Sequence, residues 1–209
     1  MIERIQWLGQ GSFVLQGPPL IYINPVRAAG NAFLADVILI SQASYENCIP
    51  QVVQRLSSDH TLVVANTEDE CLDDVAVKVL RPWHSLIVQR PRISTLSSHP
   101  TRSEALYGSL PAPTGYLISL DYYDVYYAGD TVLLPDTVAL RPDIAILPVR
   151  NSVTGLLEVE HAVEVVKQLQ PRWVIPSHWQ ANGASSQLDV KTFEAAIGPL
   201  AQVVIPASV

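Results

Sequence analysis

Apolar and polar positions alternate along the first two thirds of the chain in short runs, the pattern of strands. Ile2–Leu8 alternates with Ile5 and Trp7 on one face, and Phe13–Leu15 follows the break Gly9-Gln10-Gly11-Ser12. Leu20–Ile23 ends at Asn24-Pro25, while Val37–Ile40 and Thr61–Ala65 are unbroken apolar runs expected to be buried on both faces. Pro50 suits the first turn of a short helix that directs Val52, Val53 and Leu56 inward. Ala76–Leu80, Ser85–Gln89 and Ile93–Leu96 read as meandering antiparallel strands, and Tyr116–Leu120 with Val125–Ala128 as a hairpin around Asp121–Asp124.

The last third has a different grain. Ile144–Val149 is a strand, and Val159, Ala162, Val163, Val166 and Leu169 mark one face of a helix that stops at Pro171. Trp173–Pro176, a short helix over Lys191–Ile197 and a strand over Gln202–Ile205 complete the series. Strands first and strand–helix alternation afterwards predict an α/β fold of packed sheets flanked by helices. No linker, repeat or low-complexity stretch divides the chain, so residues 1–209 are expected to form a single domain.

Composition narrows the possible roles. Lys plus Arg number 13 against 20 for Asp plus Glu, a net charge of −7, which disfavours a nucleic-acid groove. No apolar run approaches a membrane span, and Met1-Ile2-Glu3-Arg4 lacks the layout of a secretion signal, so a cytoplasmic protein is expected. Two cysteines, Cys48 and Cys71, make no disulfide framework or zinc module, and Cys48 is expected to be a small buried apolar residue. There are only five His, a tight constraint on any His-rich metal centre.

Polar clusters follow several of the buried strands: Gln10-Gly11-Ser12, Ser41–Cys48, His99, and Asp130 with His178. Trp7–Phe13 resembles WLGHASF, Ile21–Pro25 resembles LIDP, and Ile38–Asn47 (ILISQASYEN) falls where LITHAHYDH is expected. Tyr127–Thr131 resembles HAGDT, and Ile175–His178 resembles IPMH. In this order the segments resemble the metallo-β-lactamase superfamily, in the branch of small metal-dependent hydrolases related to L-ascorbate-6-phosphate lactonase. The resemblance implies a four-layer αββα sandwich and a hydroxide nucleophile generated between two metal ions, usually zinc.

The ligand positions depart from that pattern. By the resemblance His99, Asp130 and His178 keep metal ligands, and Glu46 stands for the signature Asp with one extra methylene. Gln10, Gln42, Ser44 and Asn47 stand where His is expected, and Asn24 where Asp is expected. Amides keep polarity and approximate size while removing charge or basicity, and they satisfy one another by hydrogen bonds. The expectation is therefore a metal-free polar pocket lined by Gln10, Gln42, Ser44 and Asn47. The protein would then be a binding or interaction module for a small molecule or a protein, without the dinuclear zinc site. The alternative is a hydrolase of an ester, lactone or phosphoester with one weakly bound Zn or Mn at His99, Asp130, His178 and Glu46, where Asp130 orients the water.

Bland readings compete at each residue. Asp130 suits a turn, Glu46 a helix start, and His99 a loop. His178 would pair with Asp130 or backbone, and Trp179 and Tyr45 would simply pack. His60, His84 and His161 carry no ligand spacing, and solvent is the expected surrounding of His161.

Overall fold

A computed structural model describes residues 1–28, 32–42, 47–66, 72–73, 75–81, 83–88, 91–97, 114–129, 139–149, 159–179 and 184–206. The chain first makes one 3-10 turn at Ile2–Arg4, so the opening strand starts later than its apolar alternation predicts. Strands β1 (Ile5–Gly9), β2 (Ser12–Leu15), β3 (Ile21–Ile23), β4 (Val37–Ile40), β5 (Leu62–Ala65) and β6 (Val77–Val79) then form one sheet in sequence order. β1, β2 and β3 pair antiparallel, whereas β3 through β6 run parallel.

The second sheet takes β7 (Ser85–Ile87), β8 (Arg92–Ser97), β9 (Thr114–Leu120), β10 (Tyr123–Tyr127), β11 (Ile144–Pro148), β12 (Trp173–Ser177) and β13 (Gln202–Val203). Its order also follows the sequence, antiparallel from β7 to β10 and parallel from β10 to β13. The expected meander is thus split. β6 closes the first sheet in parallel with β5, and β7 opens the second. Apolar alternation alone does not distinguish those pairings, because both present every second side chain to one face.

Three apolar clusters define the layers. Between the sheets lie Trp7, Phe13, Ile21, Ile23, Leu39, Tyr116, Ile118, Tyr127, Ile146 and Ile175. Helix α1 (Pro50–Leu56) covers the outer face of the first sheet, where Val53 and Leu56 meet Val14, Tyr22, Ile38 and Ile40. Helices α2 (Val159–Leu169) and α3 (Ala184–Ile197) cover the second, with Ala162, Val166, Phe193 and Ile197 against Ala145, Leu147 and Val174. The result is the four-layer αββα sandwich. α3 is longer than the Lys191–Ile197 segment predicted, because its first half lacks a clear apolar stripe.

Tight corners explain part of the left-handed backbone. Asp121 and Tyr122 (φ 50° and 67°) make the two-residue turn between β9 and β10, and Gln170 (φ 51°) ends α2 before Pro171. Gln10, Asn24 and His178 are different. Each is left-handed (φ 49°, 45° and 61°) and each follows the C-terminal end of a strand, β1, β3 and β12. Strained non-glycine residues gathered at strand ends are a mark of functional clefts.

Candidate functional site

The strand ends bring residues from both sheets into one buried polar cluster. Asn24 is fully buried, and its side-chain amide donates to Ser41 Oγ (2.7 Å), Asn47 Oδ1 (3.2 Å) and the Tyr127 hydroxyl (2.9 Å). Its Oδ1 accepts the backbone N–H of Ser41 at 2.8 Å. Tyr127 in turn donates its proton to the Gly11 carbonyl at 2.8 Å. Every polar atom of the Asn24 side chain is therefore engaged, as burial requires.

His178 enters from the opposite side. Its backbone N–H donates to the Gln10 carbonyl at 2.9 Å, and its Nδ1 lies 3.0 Å from Ser177 Oγ. A methyl group on Gly11 would stand 2.5 Å from His178 Nε2 and 2.9 Å from the Tyr127 oxygen. The imidazole edge thus rests directly on the Gly11 backbone beside Tyr127, a closeness only glycine allows. The adjoining Trp179 stacks on Trp7 at 4.8 Å between ring centroids, and Trp7 donates its indole N–H to the Gln10 carbonyl.

Of the residues singled out from sequence, Gln10, Asn24, Asn47 and His178 lie around this cluster, and Gln42 is half-buried just after β4. Ser44, Glu46, His99 and Asp130 lie outside the described residues, as do Tyr45 and Cys71. His60, His84 and His161 are exposed. Two participants escaped the sequence reading. Ser41 and Tyr127 carry the network, and the signal for Tyr127 was its place where the HAGDT pattern writes His. Cys48 is buried as expected, but it is disulfide-bonded, a correction to its reading as a plain apolar residue.

The Asn24 amide hydrogens are used within the network and its Oδ1 already accepts the Ser41 N–H, and no group of three or more His, Cys, Asp or Glu forms among the described residues. Among the described residues His178 is the one imidazole there, buried to 5% exposure and oriented through Nδ1 by Ser177.

A family model described as a β-lactamase superfamily domain matches residues 4–178. The chain belongs to the metallo-β-lactamase superfamily. Among its relatives is a metal-dependent hydrolase of the UPF0173 family from Thermococcus kodakarensis, 25% identical over 97% of this chain and 95% of that protein. Another UPF0173 metal-dependent hydrolase, from Thermoplasma acidophilum, is 28% identical over 97% of this chain and 94% of its own length. The solved structure of Igni18, a metallo hydrolase from Ignicoccus hospitalis, superposes with a TM-score of 0.74 at 18% identity, over 96% of this chain and 93% of that one. Both the superfamily and its small metal-dependent hydrolase branch agree with the sequence reading. No helix among the described residues is long and apolar enough to cross a membrane.

Proposed function

We propose that this protein is a hydrolase of an ester, lactone or phosphoester that works with a single metal ion rather than a pair. The observation that carries this reading is the end-to-end similarity to proteins named metal-dependent hydrolases. Support from the chain itself comes from His178, which keeps a ligand-capable imidazole facing Gly11 and Tyr127 in a buried cleft. The remaining ligands in this reading are His99, Asp130 and Glu46, with Asp130 orienting the attacking water.

A second reading, a metal-free binding module, is favoured by one observation. Asn24, Ser41, Asn47 and Tyr127 satisfy one another without an ion. Metal analysis of protein purified without chelator, joined to esterase and phosphodiesterase assays with added Zn²⁺ or Mn²⁺, separates the two. About one equivalent of metal and turnover abolished by Asp130→Ala support the hydrolase. Folded protein with neither metal nor turnover overturns it in favour of the binding module.

A further inference from the structure

We propose that the open edge of the second sheet, strand β7, receives an extended acidic segment of a partner protein as an added strand. The inference is independent of the hydrolase reading. β7 ends its sheet and has one neighbour, β8. Thr95 N–H donates to the His84 carbonyl and Val88 N–H to the Pro91 carbonyl, both at 2.9 Å. Backbone groups alternate in direction along an antiparallel strand, so those of His84, Leu86 and Val88 face β8 and those of Ser85 and Ile87 face outward. Both of these residues lie open to solvent, Ile87 to 67% exposure.

Native edges are commonly guarded by a charge or a Pro on the edge strand itself. β7 carries neither and shows an isoleucine to solvent. Its charges stand alongside. From Val75 to Ser103 the sequence holds five of the chain's 13 basic residues and no Asp or Glu, whereas the rest carries 8 basic and 20 acidic residues. Arg92 on β8 is the partner of Ile87, so the two side chains share one face, and Lys78 and Arg81 are exposed on the stretch that leads up from β6. None of the three is in an ion pair among the described residues. Neighbouring strands are about 4.8 Å apart, so an added strand lies roughly 10 Å from β8, within the combined reach of Arg and Glu side chains. Trp83 supplies a fixed apolar contact. It is half-exposed with a left-handed backbone (φ 65°), a costly conformation for a bulky residue. Thr95 holds that corner: its carbonyl accepts the Trp83 N–H at 2.9 Å, and its hydroxyl donates to the Arg81 carbonyl at 2.5 Å. A second copy of this chain would bring like charges edge to edge, and a lipid surface does not match a ladder of alternating N–H and C=O groups. An acidic strand meets both the charge and the ladder.

The test is titration of the full chain at neutral pH and low salt with synthetic peptides of alternating Glu–Val and of alternating Lys–Val, followed by Trp fluorescence. The Glu–Val peptide should bind saturably, with a fluorescence change that is absent in Trp83→Phe, and the Lys–Val peptide should not bind. Arg81→Glu combined with Arg92→Glu should weaken binding about tenfold or more. A Glu–Val peptide with every backbone nitrogen methylated keeps its charge but cannot pair with an edge, and it should lose binding. No saturable binding, or equal affinity for the methylated or the Lys–Val peptide, overturns the proposal. Binding to phosphatidylserine vesicles by protein that ignores the Glu–Val peptide assigns the patch to a membrane, and dimerisation abolished by Ile87→Lys assigns the edge to a second copy; either overturns it as well. None of these readouts involves turnover, so a failure here is distinct from failure of the hydrolase assay.

Discussion

Asn24 and Tyr127 are 103 residues apart in sequence, yet the amide of one donates to the hydroxyl of the other at 2.9 Å. The bond joins the end of β3 in one sheet to the end of β10 in the other. Removing it leaves Ser41, Asn47 and Tyr127 short of a partner in a dry site. Asn24→Ala should cost about 3 kcal/mol of stability, measured by urea unfolding. Asn24→Asp in chelator should be destabilised more at pH 8 than at pH 5, since only the protonated acid can donate. Equal loss at both pH values would contradict the donor role.

Gly11→Ala should be destabilising by about 1–3 kcal/mol, because its methyl group must displace the His178 ring or the Tyr127 hydroxyl. Metal uptake should fall with it. A variant that keeps full stability and full metal uptake would show that the ring has room to move.

Burial pushes the hydroxyl of Tyr116 well above its ordinary value of 10.0, and Tyr22 shifts the same way. The folded protein therefore holds a phenolic proton that the unfolded chain releases first. Stability from this source is complete below about pH 10 and declines as pH rises further. Tyr116→Phe should flatten that alkaline decline in thermal unfolding scans; an unchanged slope would count against it.

Restoring the family's ligands is a test of the residue mapping. Gln42→His, Ser44→His, Glu46→Asp and Asn47→His should raise zinc uptake, and adding Asn24→Asp should raise it further. The reason is local: Asn47 Oδ1 accepts from Asn24, so a histidine at 47 leaves the Asn24 amide without that acceptor. A folded five-fold variant with flat zinc uptake would show that the mapping is wrong.

Cys48 directly follows Asn47 and is disulfide-bonded while almost fully buried. Dithiothreitol should lower the unfolding free energy by about 2–4 kcal/mol, and Cys48→Ser should be insensitive to it. Identical melting of the wild type with and without reductant would refute this.

Much of the architecture was legible because buried runs such as Val37–Ile40 and the 3.6-residue stripe of α2 each allow one placement. The partner of β6 was not, since parallel and antiparallel pairing leave the same alternation. The site was legible through segment order, which singled out Gln10, Asn24, Asn47 and His178. Tyr127 and Ser41 were missed because their role depends on partners far along the chain.

Residues 5–79 supply the first sheet and residues 85–203 the second, so the cleft is a seam between successive halves of the chain. Gln10, Asn24, Ser41 and Asn47 come from one half, Tyr127 and His178 from the other. A molecule lodged there recognises only the assembled sandwich and must raise the melting temperature, the more so as its concentration exceeds its dissociation constant. Thermal shift across a library of small anions and metal ions is therefore a direct search for the natural ligand, and it requires no assumption about turnover.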